Sequence, residues 1–248
     1  MTNVVLITGA AQGIGAATAQ LAAKRGYAVA VNYRRSEATA NALVDTIQRN
    51  GGAAAPLPGD VTDETSVRKL FDAAEQAFGP VTALVNNAGI TGRSGPLHLA
   101  SAHTMSEVMQ INVIGSMLCG REAVRRMSTQ RAGRGGAIVN ISSGAATLGS
   151  PNTYVWYAAS KGAIDSLTVG LAREVATQGI RVNAVAPGVI DTTIHDDSGV
   201  SERLDEFVSA IPMRRLGTAD EVAESILWLL SDAASYCTGA ILRVAGGR

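Results

Sequence analysis

The amino-acid sequence predicts an α/β protein: a doubly wound parallel sheet of about seven strands with helices on both faces. Three observations carry this. Short apolar runs alternate with longer stretches of helical spacing along the whole chain. Glycine accounts for 27 of 248 residues, clustered between those runs with no Gly-x-y period, which implies many tight turns on a regular scaffold. No Pro/Ser-rich linker, internal repeat or composition break divides the chain, so residues 1–248 are expected to form one domain.

The elements follow in order. Val4–Thr8 is an apolar run that stops at Gly9 and reads as a buried strand. Ala16–Arg25 is Ala-rich with Leu21 inward, a helix ended by Gly26 as a left-handed cap. Tyr27–Tyr33 is the next strand, and Glu37–Asn50 is a helix closed by Gly51 and Gly52. Thr62–Phe78 opens on two cap candidates, Thr62 and Asp63, and carries Val67, Leu70, Phe71 and Ala74 at helical spacing. Val81–Asn86 is a strand, Thr104–Met127 a long helix, Ala137–Ser142 a strand and Tyr157–Gln178 a long helix. Ile180–Ala186 is a strand, Ala219–Ser231 a helix and Ala240–Val244 a last short strand. Strands separated by helices imply right-handed βαβ crossovers.

Composition removes several function classes. Lys+Arg and Asp+Glu both number 21, so no charge excess draws nucleic acid or an anionic membrane, and neither partner is expected. Two cysteines, Cys119 and Cys237, exclude a disulfide scaffold. His98, His103 and His195 lack zinc spacing, so no metal site is expected. The leading run Val4–Ile7 is too short for a signal-peptide core or a membrane span, and a cytoplasmic protein is expected.

Between the first strand and first helix lies Thr8-Gly9-Ala10-Ala11-Gln12-Gly13-Ile14-Gly15. Glycines at i, i+4 and i+6 permit a tight turn and let backbone N–H groups approach a pyrophosphate at the positive end of a helix. No Lys-Ser/Thr follows, so this is not a nucleotide-triphosphate loop. Placed after a strand and before a helix, the cluster points to dinucleotide binding on a Rossmann-like fold.

With these motifs in order, the chain resembles the short-chain dehydrogenase/reductase family, in its compact single-domain branch. Thr8-Gly9-x-x-x-Gly13-x-Gly15 matches that family's first motif, and Asp60-Val61 its adenine-contacting pair. Asn86-Asn87-Ala88-Gly89, Asn112, Ser142-Ser143, Tyr157-x-x-x-Lys161 and Pro187-Gly188-x-x-x-Thr192 follow in family order, from residue 2 to residue 247. The resemblance extends to 3-oxoacyl-carrier-protein reductases and to glucose or ribitol dehydrogenases and does not decide between them. One departure is Val244-Ala245-Gly246-Gly247, where the family often carries Val-Asp-Gly-Gly.

Tyr157 and Lys161 are four residues apart and project from one helix face. An ammonium one turn away is expected to favour the phenolate and lower the tyrosine pKa, so that Tyr157 exchanges a proton with a carbonyl or carbinol oxygen. The resemblance implies that Lys161 also holds the nicotinamide ribose and that a serine hydrogen-bonds the substrate oxygen. That serine usually lies thirteen residues before the tyrosine, where this chain has Gly144; alignment on Gly149 selects Ser143 and places one inserted residue in Ser150–Trp156, a stretch expected to line the substrate pocket. Ser142 is read as ending the strand with a locally satisfied hydroxyl, and a share in the role of Ser143 stays open. Asn112 lies in an apolar helix and is read both as a kink partner and, by resemblance, as the holder of a water that relays protons from Lys161.

By resemblance Asn87 and Ala88 contact the adenosine half of the cofactor, Gly89 permits close backbone approach, Ile190 fixes the carboxamide through its backbone, and Thr192 reaches the pyrophosphate beside Pro187 and Gly188. Tyr33, where an NAD-specific site places an acid, is followed by Arg34 and Arg35. A guanidinium suits a 2′-phosphate, so NADP(H) is the expected cofactor with NAD(H) as an alternative, Arg34 as main determinant and Asn32 or Ser36 as added hydrogen bonds. The polar segment 193–214 is expected to be a small lid.

These readings combine into an oxidoreductase that moves a hydride between NADP(H) and a carbonyl or secondary alcohol of a small molecule. A sugar dehydrogenase, or a non-catalytic NADP(H)-sensing protein, is the alternative; a sensor usually loses Tyr or Lys, and here both stand. Family members of this size are commonly homotetramers, and the outer faces of the two long helices, with Gly115, Ala158, Ala159, Ala163, Leu167 and Leu171, are expected to form the contact, a dimer being the smaller alternative.

Overall fold

The computed structural model describes residues 3–192 and 208–248. Seven parallel strands form one sheet in the order β3-β2-β1-β4-β5-β6-β7, with β1 Val4–Ile7, β2 Ala28–Tyr33, β3 Ala53–Pro58, β4 Val81–Asn86, β5 Gly136–Ile141, β6 Ile180–Pro187 and β7 Ile241–Val244. Residues alternate between the two faces, and both are covered. Val5, Ile7, Val29, Val31, Val85, Val139 and Val185 pack beneath α1 (Gly13–Lys24), α2 (Glu37–Arg49) and the last helix, Ala219–Leu230. Val4, Leu6, Ala30, Leu84, Ile138 and Val182 pack on the other side, beneath α3 (Glu64–Phe78), α5 (Ser116–Met127) and α7 (Val155–Val175). The expected fold class holds.

Two elements differ from expectation. β3 has no counterpart among the expected strands, because its sequence, Ala-Ala-Ala-Pro-Leu-Pro, has no β-branched residue and two prolines. It pairs with β2 alone, from Ala28↔Ala53 to Tyr33↔Pro58, which makes it an edge strand, where proline is tolerated. The long helix expected over Thr104–Met127 is broken into α4 (Ala102–Met109), a π-helical segment Gln110–Gly115 and α5. A π segment widens the helix by one residue, which turns the side chains beyond it onto a new face. Gly115 permits this approach: a Cβ there would lie 2.8 Å from Val61 Cγ2.

Other details follow the residues. Gly26 (φ +85°) ends α1 as expected, and Asp63 caps α3 by accepting from the Ser66 N–H at 2.6 Å. The last helix, α8, opens on an unforeseen capping box, Thr218 with Glu221. Between α5 and α7 lies the four-residue α6 (Ala145–Leu148). Most of the lid expected near 193–214 lies outside the described residues; of its end, Ile211 is buried and the Met213 N–H donates to the Gly246 carbonyl at 3.1 Å.

Candidate active site

Because all strands run parallel, their carboxyl ends and the loops that leave them share one edge, and the order reverses between β1 and β4. Ligands bind in open α/β sheets at such a point. A cleft of about 910 Å³ opens there. Its floor is the glycine turn. Gly9 sits at φ +60°, and a Cβ on it would stand 3.0 Å from the Ala88 Cα; a Cβ on Gly15 would meet Asn87 Nδ2 at 2.6 Å. The two loops are laced together. Thr8 Oγ1 accepts from the N–H groups of Asn87 and Ala88, each at 3.0 Å, and Asn87 Nδ2 donates to the Thr8 and Gly9 carbonyls at 2.9 and 3.0 Å. Gly9, Gln12, Gly13 and Ile14 therefore face the cleft at the start of α1, whereas Thr8 and Gly15 brace the turn from behind. No side chain fills the space where backbone N–H groups and the helix N-terminus would receive a pyrophosphate, so these residues fit a dinucleotide.

At one end of the cleft Tyr33, Arg34, Arg35, Asp60 and Val61 come together as expected. Tyr33 is buried, while Arg34 and Arg35 are exposed. Arg34 Nε meets Asp60 Oδ2 at 2.8 Å. The other carboxylate oxygen accepts from the N–H and hydroxyl of Thr62, at 2.9 and 2.7 Å. Burial pushes the Asp60 carboxyl up, but these hydrogen bonds and the charges of Arg34 and Arg35 outweigh it and hold it below its ordinary value. Asn32 or Ser36 was expected to add a cofactor hydrogen bond. Asn32 and Ser36 both line the cleft; the Asn32 oxygen accepts from the Gly9 N–H, and its amide nitrogen donates to the Leu57 and Gly59 carbonyls.

At the other end, residues of α7 face the end of β5. The Tyr157 hydroxyl is hydrogen-bonded to Ser143, and Lys161 Nζ lies 5.6 Å from the centre of the Tyr157 ring. Lys161 is buried and donates to the Ile141 carbonyl at 2.7 Å. Burial pushes the phenol up to about 12, with the Ser143 bond pulling down and Tyr154 pushing up. This corrects the expectation that the ammonium lowers it: Lys161 turns its charge toward a carbonyl, and its own burial brings it down to about 8, opposed by Asp165. Tyr157 is thus a phenol, a proton donor, throughout the neutral range. Ser142 is buried and donates to Asp165 Oδ1 at 2.5 Å, so its hydroxyl is satisfied locally and Ser143 alone of the pair bonds Tyr157.

Asn112 is buried in the π segment and does not line the cleft. Its Oδ1 accepts from the Ile90 N–H at 2.8 Å, and its Nδ2 donates to the Ile90 carbonyl and to Ser160 Oγ at 2.9 and 3.0 Å. Both amide hydrogens are engaged with protein, which matches the kink-partner reading. Gly89 lies between: a Cβ on it would stand 3.2 Å from Asn112 Oδ1 and 3.6 Å from Lys161 Nζ. Asn87, Ala88 and Gly89 line the cleft, as do Pro187, Gly188, Ile190 and Thr192 on the opposite wall. That wall is pinned by the Gly188 N–H to the Val244 carbonyl at 2.9 Å and by a bridge between Ile190 and Gly217. Of the stretch 150–156, Ser150, Pro151, Thr153 and Tyr154 reach the cleft, but Trp156 turns inward and donates to the Thr91 carbonyl at 2.8 Å. Tyr154, unforeseen, packs its ring edge-on to Tyr157 with centroids 5.3 Å apart. Asp165 was also missed; the signal available was a third polar residue at four-residue spacing after Tyr157 and Lys161.

The family model described as Enoyl-(Acyl carrier protein) reductase matches residues 9–248. The chain belongs to the short-chain dehydrogenase/reductase family. The uncharacterized oxidoreductase YgfF of Escherichia coli (strain K12) is 51% identical over 99% of both chains. The cis-4-hydroxycyclohexanecarboxylate dehydrogenase of Sinomonas cyclohexanicum is 43% identical over 99% of this chain and 96% of its own. Among solved structures, a blue fluorescent protein from a metagenomic library, in complex with NADPH, superposes with a TM-score of 0.90 at 34% identity, covering 99% of this chain and 97% of that one. As a short-chain dehydrogenase/reductase, the protein is an oxidoreductase that uses a nicotinamide cofactor and acts on CH–OH or carbonyl groups.

Proposed function

We propose that the protein is an NADP(H)-dependent enzyme that interconverts a carbonyl and a secondary alcohol on a small molecule. The observation that carries this is the half-buried Ser143–Tyr157 pair beside buried Lys161 in the lining of the cleft. When bound, the nicotinamide supplies or accepts the hydride. Ser143 and Tyr157 hold the substrate oxygen by their hydroxyls, and Tyr157 gives or takes the proton at Oη. Lys161 orients Tyr157 and the cofactor ribose. Asn112 acts on this site by fixing the Gly89–Ile90 backbone beside Lys161, along the path by which water would replenish the proton. Thr8, Gly9, Gln12, Gly13, Ile14 and Gly15 shape the pyrophosphate seat. Arg34, with Arg35 as backup, selects the 2′-phosphate, and Asp60 orients Arg34.

The Sinomonas relative, named for a hydroxylated cyclohexane carboxylate, supports the alcohol/ketone class. Mixing the pure protein with NADPH and a panel of ketones, aldehydes and sugars, and following NADPH absorbance, tests it. Turnover of ketones supports the reading, turnover confined to sugars favours a sugar dehydrogenase, and NADPH binding without any turnover leaves only a sensor.

The reading extends to one domain, a cytoplasmic location in keeping with the two free cysteines, and a homotetramer. Among the described residues no helix is long and apolar enough to cross a membrane. Of the residues expected on the subunit contact, Gly115 and Ala158 face inward, against Val61 and the core. Met109, Ile114 and Met117, each about two-fifths exposed, stand instead on the outer face of α4, the π segment and α5 and support the same surface. Sedimentation at micromolar protein is expected to show an assembly larger than a monomer; a monomer alone would remove this part of the reading.

A further inference from the structure

Three consecutive residues at the end of β5 are each bonded to one stripe of α7. The Ile141 carbonyl accepts from Lys161 Nζ at 2.7 Å, Ser142 Oγ donates to Asp165 Oδ1 at 2.5 Å, and Ser143 is bonded to the Tyr157 hydroxyl. The helix partners stand at positions 157, 161 and 165, a four-residue spacing that keeps them on one slowly turning face. Two of these ties belong to the reacting groups proposed above. In the third, Ser142 lines the cleft but Asp165 does not; the tie sits one residue before Ser143 in the chain and, on the helix, one turn beyond Lys161. An acid at that place has a cost: Asp165 is about half buried, and burial pushes its carboxyl upward. Ser142, Lys161 and Arg243 of β7 pull it back. Arg243 itself is tied to Thr147 Oγ1 and to the Arg248 carbonyl. Among the described residues, then, the charged groups acting on Asp165 are Lys161 on its own helix and Arg243 from β7.

We propose that Asp165 is a positioning residue of this site: its carboxylate locks the Ser142–Ser143 backbone onto α7 and keeps a negative charge one turn from the Lys161 ammonium. Both effects act through other residues. The lock fixes the height of Ser143 against Tyr157, so that both hydroxyls meet the same substrate oxygen. The charge offsets the burial of Lys161, which otherwise favours the neutral amine. The inference rests on the proposed roles of Tyr157, Lys161 and Ser143, but its test does not need turnover.

The chain has only three lysines, Lys24, Lys69 and Lys161, so lysine labelled with carbon-13 at Cε gives three resolvable titrations by NMR. Wild-type Lys161 is expected to titrate near pH 8. In Asp165→Asn, which keeps the shape and an acceptor for Ser142, that midpoint should fall by about half a unit or more. Asp165→Glu, which keeps the charge, should return it toward the wild-type value. Ser142→Ala removes the lock and leaves the charge; its Lys161 midpoint should stay while kcat on a carbonyl found active in the panel falls by about tenfold with little change in the NADPH dissociation constant. An unmoved Lys161 midpoint in folded Asp165→Asn overturns the electrostatic role. Should that variant not fold, Asp165→Ser is the neutral substitute with the same expectation. Unchanged kcat in Ser142→Ala overturns the lock. Absence of any carbonyl turnover in wild type would count against the proposed function and leave the titration result standing by itself.

Discussion

Replacing Tyr157 with Phe is expected to lower kcat by roughly a thousandfold while NADPH affinity stays within about threefold of wild type. The phenyl ring keeps the edge-on packing against Tyr154 and the contact with the Lys161 side chain, so the cavity and the cofactor seat are preserved. Only the hydroxyl is lost, and with it the proton donor and the partner of Ser143. The sign of the pH effect follows from the same environment. With the phenol pushed up to about 12, reduction has its donor available from acid through neutral pH, whereas oxidation, which needs Tyr157 as acceptor, should quicken as pH rises. Steady-state kinetics in both directions and a fluorescence titration with NADPH check this. Near-wild-type turnover in Tyr157→Phe would take Tyr157 out of the mechanism.

The second large effect is expected at the opposite end of the cleft. Arg34→Ala should weaken NADPH binding by about thirtyfold, near 2 kcal/mol, and change NADH binding by no more than about twofold. The substitution does two things at once. It removes a cation suited to a 2′-phosphate, and it uncovers the Asp60 carboxylate, which Thr62 keeps fixed and ionised at the same place. A phosphate there would then face a negative charge in place of a positive one. Because the Arg34 side chain is 46% exposed, the loss should shrink as salt is added. Titration of both dinucleotides into wild type and variant measures it; tighter NADH than NADPH binding in wild type, or unaltered NADPH affinity in the variant, would refute the cofactor assignment.

Much of this architecture was legible because its signals are local. The β1–glycine–α1 unit needs an apolar run, a turn without Cβ atoms and a helix, and residues 4–25 state all three in order. Tyr157 and Lys161 were found because they stand in the family's motif order, and helical spacing then brings them to one face. What escaped depends on tertiary context. β3 is held by β2 and not by its own propensity, and the π segment Gln110–Gly115 carries no proline; its Asn112 is held by Ile90, a contact that spacing along the chain does not reveal. The Lys161 effect on Tyr157 was misjudged because sequence shows that two groups are neighbours and not how deeply both are buried. Asp165 escaped because its four-residue spacing after Lys161 carries no meaning until its Ser142 partner comes into view.

The prolines of the edge strand reach further than the local pairing. The Gly59 N–H donates to the Tyr33 carbonyl, so odd-numbered residues here point their backbone groups at β2 and even-numbered ones point away. Pro56 and Pro58 are therefore the residues whose N–H would have faced outward, and neither has one. The outward carbonyl of Ala54 is taken by Gln48 Nε2 at 2.9 Å. A foreign strand that approached this side would find almost no ladder to join. The sheet can recruit another only along β7, and a sheet open on one side can be extended once, by a like edge, before growth stops. On the β3 side, edge chemistry denies a growing fibre the ladder it would need.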